Sequence, residues 1–382
     1  MADGDLESDL ASIPPADQAV LEDGGFDEQV LRRWAADLLH RGPDANRVSG
    51  EVTLPQDGDV AELPFPASEH GRRLAEAGRA SIRRGELAVV VLAGGMATRM
   101  GGVVKALVNA VSGTTFLDAR LAEREHWQRG SERPFPMWLM TSHATDEPIR
   151  QALGDRLDGD RVAVFRQGAS PRLTPEGRVF RDAGGRPSLH ATGHGDLPDA
   201  LRRSGLLERF VAGGGRYLWI ANLDNLGAAV DPLVLGWHLE HDAPLSVEVV
   251  DKEPGDRGGI PVRLDGRPVV LENFRLPHGF DEDAVPVFNT NTFLVDAEPL
   301  AELDMPWTWF RVEKTVDGRP AIQFERLVGE LTSSLDSRFV KVPRTGLASR
   351  FLPAKDWQEL ERHQEQIAAR LRSFLEPHRD GA

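Results

Sequence analysis

The chain has 382 residues, 40% hydrophobic and 27% charged, with a formal net charge of −15 and no Cys. Two linked domains or one large α/β domain are therefore expected, and general disorder, disulfides, thiolate metal sites and cysteine nucleophiles are excluded. The acidic balance argues against nucleic-acid partners; with no apolar run of about 18–20 residues and acids in MADGDLESDL, neither membrane insertion nor secretion is expected, and the expected setting is cytoplasmic.

Residues 1–31 hold nine Asp or Glu and no Lys or Arg, and the stretch to about Leu21 is expected to be a mobile arm. Val30, Leu31, Trp34, Leu38 and Leu39 recur at helical spacing and predict a helix over Phe26–His40. A Pro-, Gly- and Asp-rich connector follows over 43–68, then a short helix over Glu69–Arg84. These elements read as an acidic arm and helical accessory segment over 1–85.

From Leu87 the texture changes. Leu87–Ala93 is a continuous apolar run ending in two glycines, which predicts a strand buried on both faces. Similar runs stand at Met137–Met140, Val162–Phe165, Tyr217–Ala221 and Leu245–Val250, with helical patterns at Thr115–Trp127, Asp196–Val211 and Asp231–His241. This alternation predicts an α/β fold with a mixed, mainly parallel central sheet. Asp265-Gly266 and Asp317-Gly318 predict hairpin turns and hence antiparallel additions. Trp357–Leu375 reads as an amphipathic helix within a C-terminal segment, 356–382.

The stretch Leu92-Ala-Gly-Gly-Met-Ala-Thr-Arg-Met-Gly-Gly-Val-Val-Lys105 carries the most information. Gly94 and Gly95 let backbone N–H groups approach a phosphate, and Arg99 and Lys105 add positive charge. Neither a P-loop nor a Gly-x-Gly-x-x-Gly dinucleotide pattern is present. Arginine outnumbers lysine by 40 to 5, which singles out each lysine.

The stretch resembles the nucleotide-binding loop of the eukaryotic-type UDP-glucose pyrophosphorylase family. Further segments agree in order: Phe165-Arg-Gln167, Gly193-His-Gly-Asp196, Asn222-Leu-Asp-Asn-Leu-Gly227, Phe288-Asn-Thr-Asn291, Lys314 with Ile322-Gln-Phe-Glu325, and Arg350-Phe-Leu-Pro-Ala-Lys355. The resemblance spans about residues 87–357. It implies a Rossmann-like nucleotidyltransferase catalytic domain over 86–355, with UTP and a sugar 1-phosphate, foremost glucose 1-phosphate, as substrates. It also implies nucleotide binding by Leu92, Ala93, Gly94, Gly95, Gln167 and Gly195, with Gln167 and Gly195 at uracil. His194, Asn222, Asn289, Asn291 and Lys355 fall on the substrate side, and Arg99, Lys105 and Lys314 on the phosphates.

Asp224 follows a strand at the sheet's carboxyl edge, where a carboxylate can hold Mg²⁺ beside phosphate oxygens. Asn289 and Asn291, two apart in a β-like run, are expected to share one face. Two departures from the resembled pattern are Ala97, where a glycine is common, and Val104, where a proline is; the Ala97 methyl is expected to narrow the nucleotide pocket. Only about 27 residues follow Lys355, so no oligomer through a C-terminal β-helix is expected. The competing readings are a UDP-N-acetylhexosamine or broad-specificity pyrophosphorylase, a UDP-sugar-consuming glycosyltransferase, and a non-catalytic UDP-sugar-binding protein.

Overall fold

The computed structural model describes residues 3–39 and 41–375. Eight strands form the central sheet: β1 (Val60–Glu62), β2 (Leu87–Leu92), β3 (Met137–Thr141), β4 (Val162–Arg166), β5 (Tyr217–Asn222), β6 (Leu245–Asp251), β7 (Val287–Asp296) and β8 (Ser337–Lys341). Their order is β1-β8-β6-β7-β5-β2-β3-β4. Every neighbouring pair is parallel except those made by β7, which runs antiparallel to β6 and β5. The mixed, mainly parallel sheet and α/β class expected from the sequence are thus present.

All six residues of β2 are buried, as expected for a strand covered by helices on both faces. The chain leaves β2 for β3 and β4 on one side, by way of the helices Phe116–Arg129 and Asp146–Leu153, and returns to build β5 on the other. The ends of β2 and β5 are therefore a topological switch point, the place where open α/β sheets bind ligands. Asn222 and Leu92 stand side by side there.

Both predicted Asp-Gly turns close antiparallel hairpins, Gly259–Leu264 with Arg267–Glu272 and Phe310–Val316 with Arg319–Glu325. Each has φ near +50° at Asp and above +70° at Gly, the left-handed pair that tight hairpins require.

Several expectations need correction. In place of a mobile arm over 1–21, helices Asp3–Ala11 and Pro15–Asp23 pack against the body. Leu6, Leu10, Ile13 and Leu21 are buried in a second core cluster with Leu173, Ile322 and Phe324. The acidic majority masks this sparse apolar stripe. Asp9 pairs with Arg178 at 2.6 Å, Asp23 with Arg166, and Gly24 lies against the backbone of Gly168 and Ala169. The next helix is Glu28–Leu38, capped by the Asp27 side chain; His40 lies outside the described residues. The helix expected over Asp196–Val211 is two, Leu197–Ser204 and Leu206–Ala212, broken where Gly205 takes φ +68°. Trp357–Leu375 likewise divides into Trp357–Arg362 and Gln364–Leu375. No helix among the described residues is long and apolar enough to cross a membrane.

Candidate active site

A cleft of about 720 Å³ opens at the switch point. Leu92, Ala93, Gly94, Gly95, Lys105, Gln167, His194, Asn222, Asp224, Asn289, Asn291, Lys314 and Lys355 all line it. Residues as far apart as 92 and 355 therefore meet in one cleft. Two candidates do not line it.

Arg99 is exposed in the 3-10 turn Thr98–Met100 and has no ion-pair partner among the described residues. Gly195 is buried against the backbone of Arg326 and Leu327, where a Cβ would come within 2.4 Å of the Leu327 nitrogen. Its need for glycine is thus a packing need, and Gly193 and His194 line the cleft instead. Ala97 is buried in the main core and is not part of the lining, so its methyl does not narrow the cleft.

One wall is neutral. Ala93 N–H donates to Met140 O at 2.8 Å, and Ser142 Oγ–H donates to Gly94 O at 3.0 Å, which fixes the turn after β2. A Cβ on Gly94 would lie 2.1 Å from Gln167 Nε2. Only glycine admits the glutamine amide at that distance. Gln167 Oε1 is buried and accepts no hydrogen bond among the described residues, which leaves it open to water or a ligand. Across the cleft mouth, Val328 N–H donates to His194 Nδ1 at 2.9 Å, which leaves the ring proton on Nε2. Burial pushes the His194 pKa down to about 4, so near neutrality this imidazole is an uncharged donor.

The other wall is charged. Lys105 Nζ contacts Asp224 Oδ2 at 2.5 Å, with both side chains largely covered. Beneath them lies a buried frame. Fully buried Arg120 pairs with Glu123 at 2.8 Å and donates to Asn222 O and Asn225 O at 2.8 and 2.7 Å. Asn225 Nδ2 donates to Arg350 O, and Asn225 Oδ1 accepts from Leu352 N–H. Arg350 in turn holds Glu248 through two bonds of 2.9 and 2.6 Å. The loop carrying Asp224 and the segment leading to Lys355 are thus tied to each other.

Asn289 and Asn291 both reach the cleft, but not by strand alternation. Asn291 takes φ +60° beside a register shift in β6–β7, and Phe288 and Thr290 line the cleft as well. Asn289 Oδ1 accepts from Asn291 N–H at 2.8 Å, and Asn291 Nδ2 donates to Asn222 Oδ1 at 2.8 Å. This network aims the amides; a kink supplies what the period-two argument assigned to a regular strand.

No group of three or more His, Asp or Glu suited to a metal ion occurs among the described residues. A single carboxylate such as Asp224 is nonetheless compatible with Mg²⁺, an ion commonly held by one or two carboxylates with substrate phosphates and water. Its present partner, Lys105, would have to share or exchange that carboxylate.

Sequence reasoning missed several lining residues, among them Arg172, His190 and Glu272. Glu272 is pushed up to about 7 by burial, with the Glu330 carboxylate adding to the effect and Arg275 opposing it. His190 belongs to a small antiparallel pair, Ala169–Pro171 with Leu189–Ala191, and Arg172 directly follows its first strand; neither strand has a local sequence signature. Arg120 carries no motif signal at all.

The family model described as UTP–glucose-1-phosphate uridylyltransferase matches residues 66–377. The UTP–glucose-1-phosphate uridylyltransferase of Saccharomyces cerevisiae is 30% identical over 298 residues, covering 72% of this chain and 58% of that protein. The Pyrus pyrifolia protein of the same name is 28% identical over 381 residues, covering 93% and 76%. Among solved structures, a variant of UDP-glucose pyrophosphorylase from Leishmania major superposes with TM-score 0.72 at 25% identity, covering 91% of this chain and 79% of that one. The UDP-N-acetylglucosamine pyrophosphorylase of Trypanosoma brucei shares the fold, with TM-score 0.74 at 20% identity and coverage of 97% and 81%. The match spans 58% of the length of the budding-yeast relative and 62% of the Musa acuminata one.

Proposed function

The chain belongs to the UTP–glucose-1-phosphate uridylyltransferase family, and on that footing we propose that it joins UTP to glucose 1-phosphate, forming UDP-glucose and pyrophosphate. The observation that carries this reading is the single cleft at the switch point, where an orphaned base-edge amide, a glycine turn and lysines from three distant segments converge.

A phosphate oxygen of the sugar 1-phosphate attacks the α-phosphorus of UTP. One P–O bond forms there, the α–β bridging bond breaks, and pyrophosphate departs with its electron pair. The attacking phosphate is already ionised near neutrality, so no general base is needed. Catalysis is then positioning plus charge neutralisation. Gln167 Oε1 accepts from the uracil N3–H, and the amide's nitrogen side serves the adjacent carbonyl. His194 donates from Nε2 without adding charge. Lys105 stabilises the charge that develops on the departing pyrophosphate, while Lys314 and Lys355 hold the sugar phosphate; Asn289 and Asn291 offer amides to sugar hydroxyls. Mg²⁺, held by Asp224 with phosphate oxygens and water, would add further neutralisation. Arg99, outside the cleft lining, is left for the outer end of the polyphosphate.

The test is direct. With UTP, Mg²⁺ and a panel of sugar 1-phosphates, pyrophosphate release should be fastest with glucose 1-phosphate. Faster release with N-acetylglucosamine 1-phosphate selects the hexosamine reading, and UDP-glucose binding without release selects the non-catalytic one.

A further inference from the structure

We propose that Arg172 is a phosphate-binding residue of the cleft, a fixed guanidinium that grips phosphate oxygens of the substrates. The inference deepens the uridylyltransferase reading and rests on it.

Arg172 directly follows the short strand Ala169–Pro171, and its side chain lines the cleft. Three hydrogen bonds immobilise it: Nε donates to Gln323 Oε1 at 2.9 Å, and Nη1 donates to Ser188 Oγ at 3.0 Å and Leu189 O at 2.6 Å. Its Nη2 has no protein partner among the described residues. All three acceptors are neutral.

The arrangement of Gln323 explains why. Its amide oxygen takes Arg172, while its Nε2 donates to Glu325 Oε1. A neutral amide thus stands between the guanidinium and the carboxylate that would otherwise pair with it. Other cleft and near-cleft arginines do have carboxylates in contact, Arg257 with Glu282 and Arg326 with Asp199, both at 2.7 Å. Arg172 has none within ion-pair distance among the described residues.

Holding a partly desolvated charge without a counterion disfavours folding, and such a charge in a cleft marks a site whose counterion is the ligand. Burial lowers the Arg172 pKa, as expected for a cation removed from water, and the Glu325 carboxylate beyond the amide only partly opposes this. Lys314 lines the same cleft from the hairpin that also carries Gln323, and it too lacks an ion-pair partner among the described residues. The imidazole of His190, opposite Ser170 in the strand pair, feels both cations in addition to its own burial. Neutral sugar hydroxyls cannot balance two positive charges. A phosphate can, and a guanidinium fork is shaped to hold one through paired N–H bonds.

The phosphates belong either to UTP and pyrophosphate or to the sugar 1-phosphate, and one experiment separates them. Dissociation constants for UTP, pyrophosphate and glucose 1-phosphate are measured calorimetrically with Mg²⁺, and uridine, followed by saturation-transfer NMR, serves as the uncharged control. The proteins are the full chain, Arg172→Gln, Arg172→Lys and Gln323→Glu. The last keeps the arginine but puts a carboxylate against it, so it does not depend on how well an arginine deletion folds.

Arg172→Gln and Gln323→Glu are both expected to weaken at least one anion about tenfold, the loss typical of a charge-assisted hydrogen bond, with uridine binding unchanged and Arg172→Lys partly restored. Loss on UTP and pyrophosphate assigns Arg172 to the nucleotide tail; loss on glucose 1-phosphate assigns it to the nucleophile. A change below about threefold on all three anions, or an equal loss for uridine, overturns the assignment. Wild-type protein that binds these anions yet releases no pyrophosphate would defeat the transfer reading while leaving the Arg172 comparison readable.

Discussion

The two walls of the cleft solve different problems with different means. The wall built from Gly94, Gln167 and His194 is neutral, and its atoms are held by backbone hydrogen bonds and close packing. The wall built from Lys105, Asp224, Lys314 and Lys355 is charged and draws on long side chains from loops and a hairpin. Shape discriminates best where groups cannot move. Charge tolerates movement, which suits a phosphate that changes partners during transfer.

Breaking the charged wall should have the largest effect. Lys314→Ala is expected to lower kcat on the order of 10²–10³-fold, comparable with removing an oxyanion donor, and a loss below about tenfold in steady-state UDP-glucose synthesis would take Lys314 out of the mechanism. Asp224→Ala should raise the Mg²⁺ concentration needed for half-maximal rate, and an unchanged titration curve would assign the metal elsewhere.

Breaking the neutral wall should act on binding. Gly94→Ala sets a methyl where the Gln167 amide lies. The KM for UTP is expected to rise about tenfold or more while kcat changes little, the pattern of lost uniform binding. Equal loss in both parameters would mean that the glycine serves the phosphates instead.

Acid should separate the regions through stability. His190 and His194 have folded pKa values of about 3 and about 4 against an ordinary 6.5, chiefly because they are buried. Between those values the unfolded chain binds more protons, so their contribution is complete above about pH 6.5 and declines as pH falls toward 3–4. The melting temperature should therefore drop on acidification, and His190→Asn should flatten that drop. An unchanged slope would show that His190 keeps its proton on folding. The smallest effect expected is from salt: raising ionic strength should increase KM for UTP severalfold and leave competition by uridine nearly unchanged.

Much of this was legible in the residues. Buried strands announce themselves as apolar runs, and the glycine turn after β2, the Asp-Gly hairpins and the isolated lysines in an arginine-rich chain all have local signatures. The failures share one cause. Gly195 sits in a recognisable motif, yet its backbone faces Arg326 and Leu327, more than 130 residues away in the chain. Arg120 and Arg172 acquire their roles only through contacts with carbonyls and an amide brought near by the fold. Asn291 reached the cleft by a left-handed kink that composition does not disclose. The N-terminal helices were hidden because four apolar side chains spread over sixteen residues look like noise among acids.

Those helices have a bearing on ligand handling. They brace the outer side of the segment that bears Gln167, through Asp23 on Arg166 and the Gly24 backbone on Gly168 and Ala169. The acidic opening of the polypeptide therefore supports the segment bearing Gln167 from outside the cleft lining. A shortened protein lacking these helices is expected, on the proposed reading, to weaken uridine binding more than pyrophosphate binding when both are titrated.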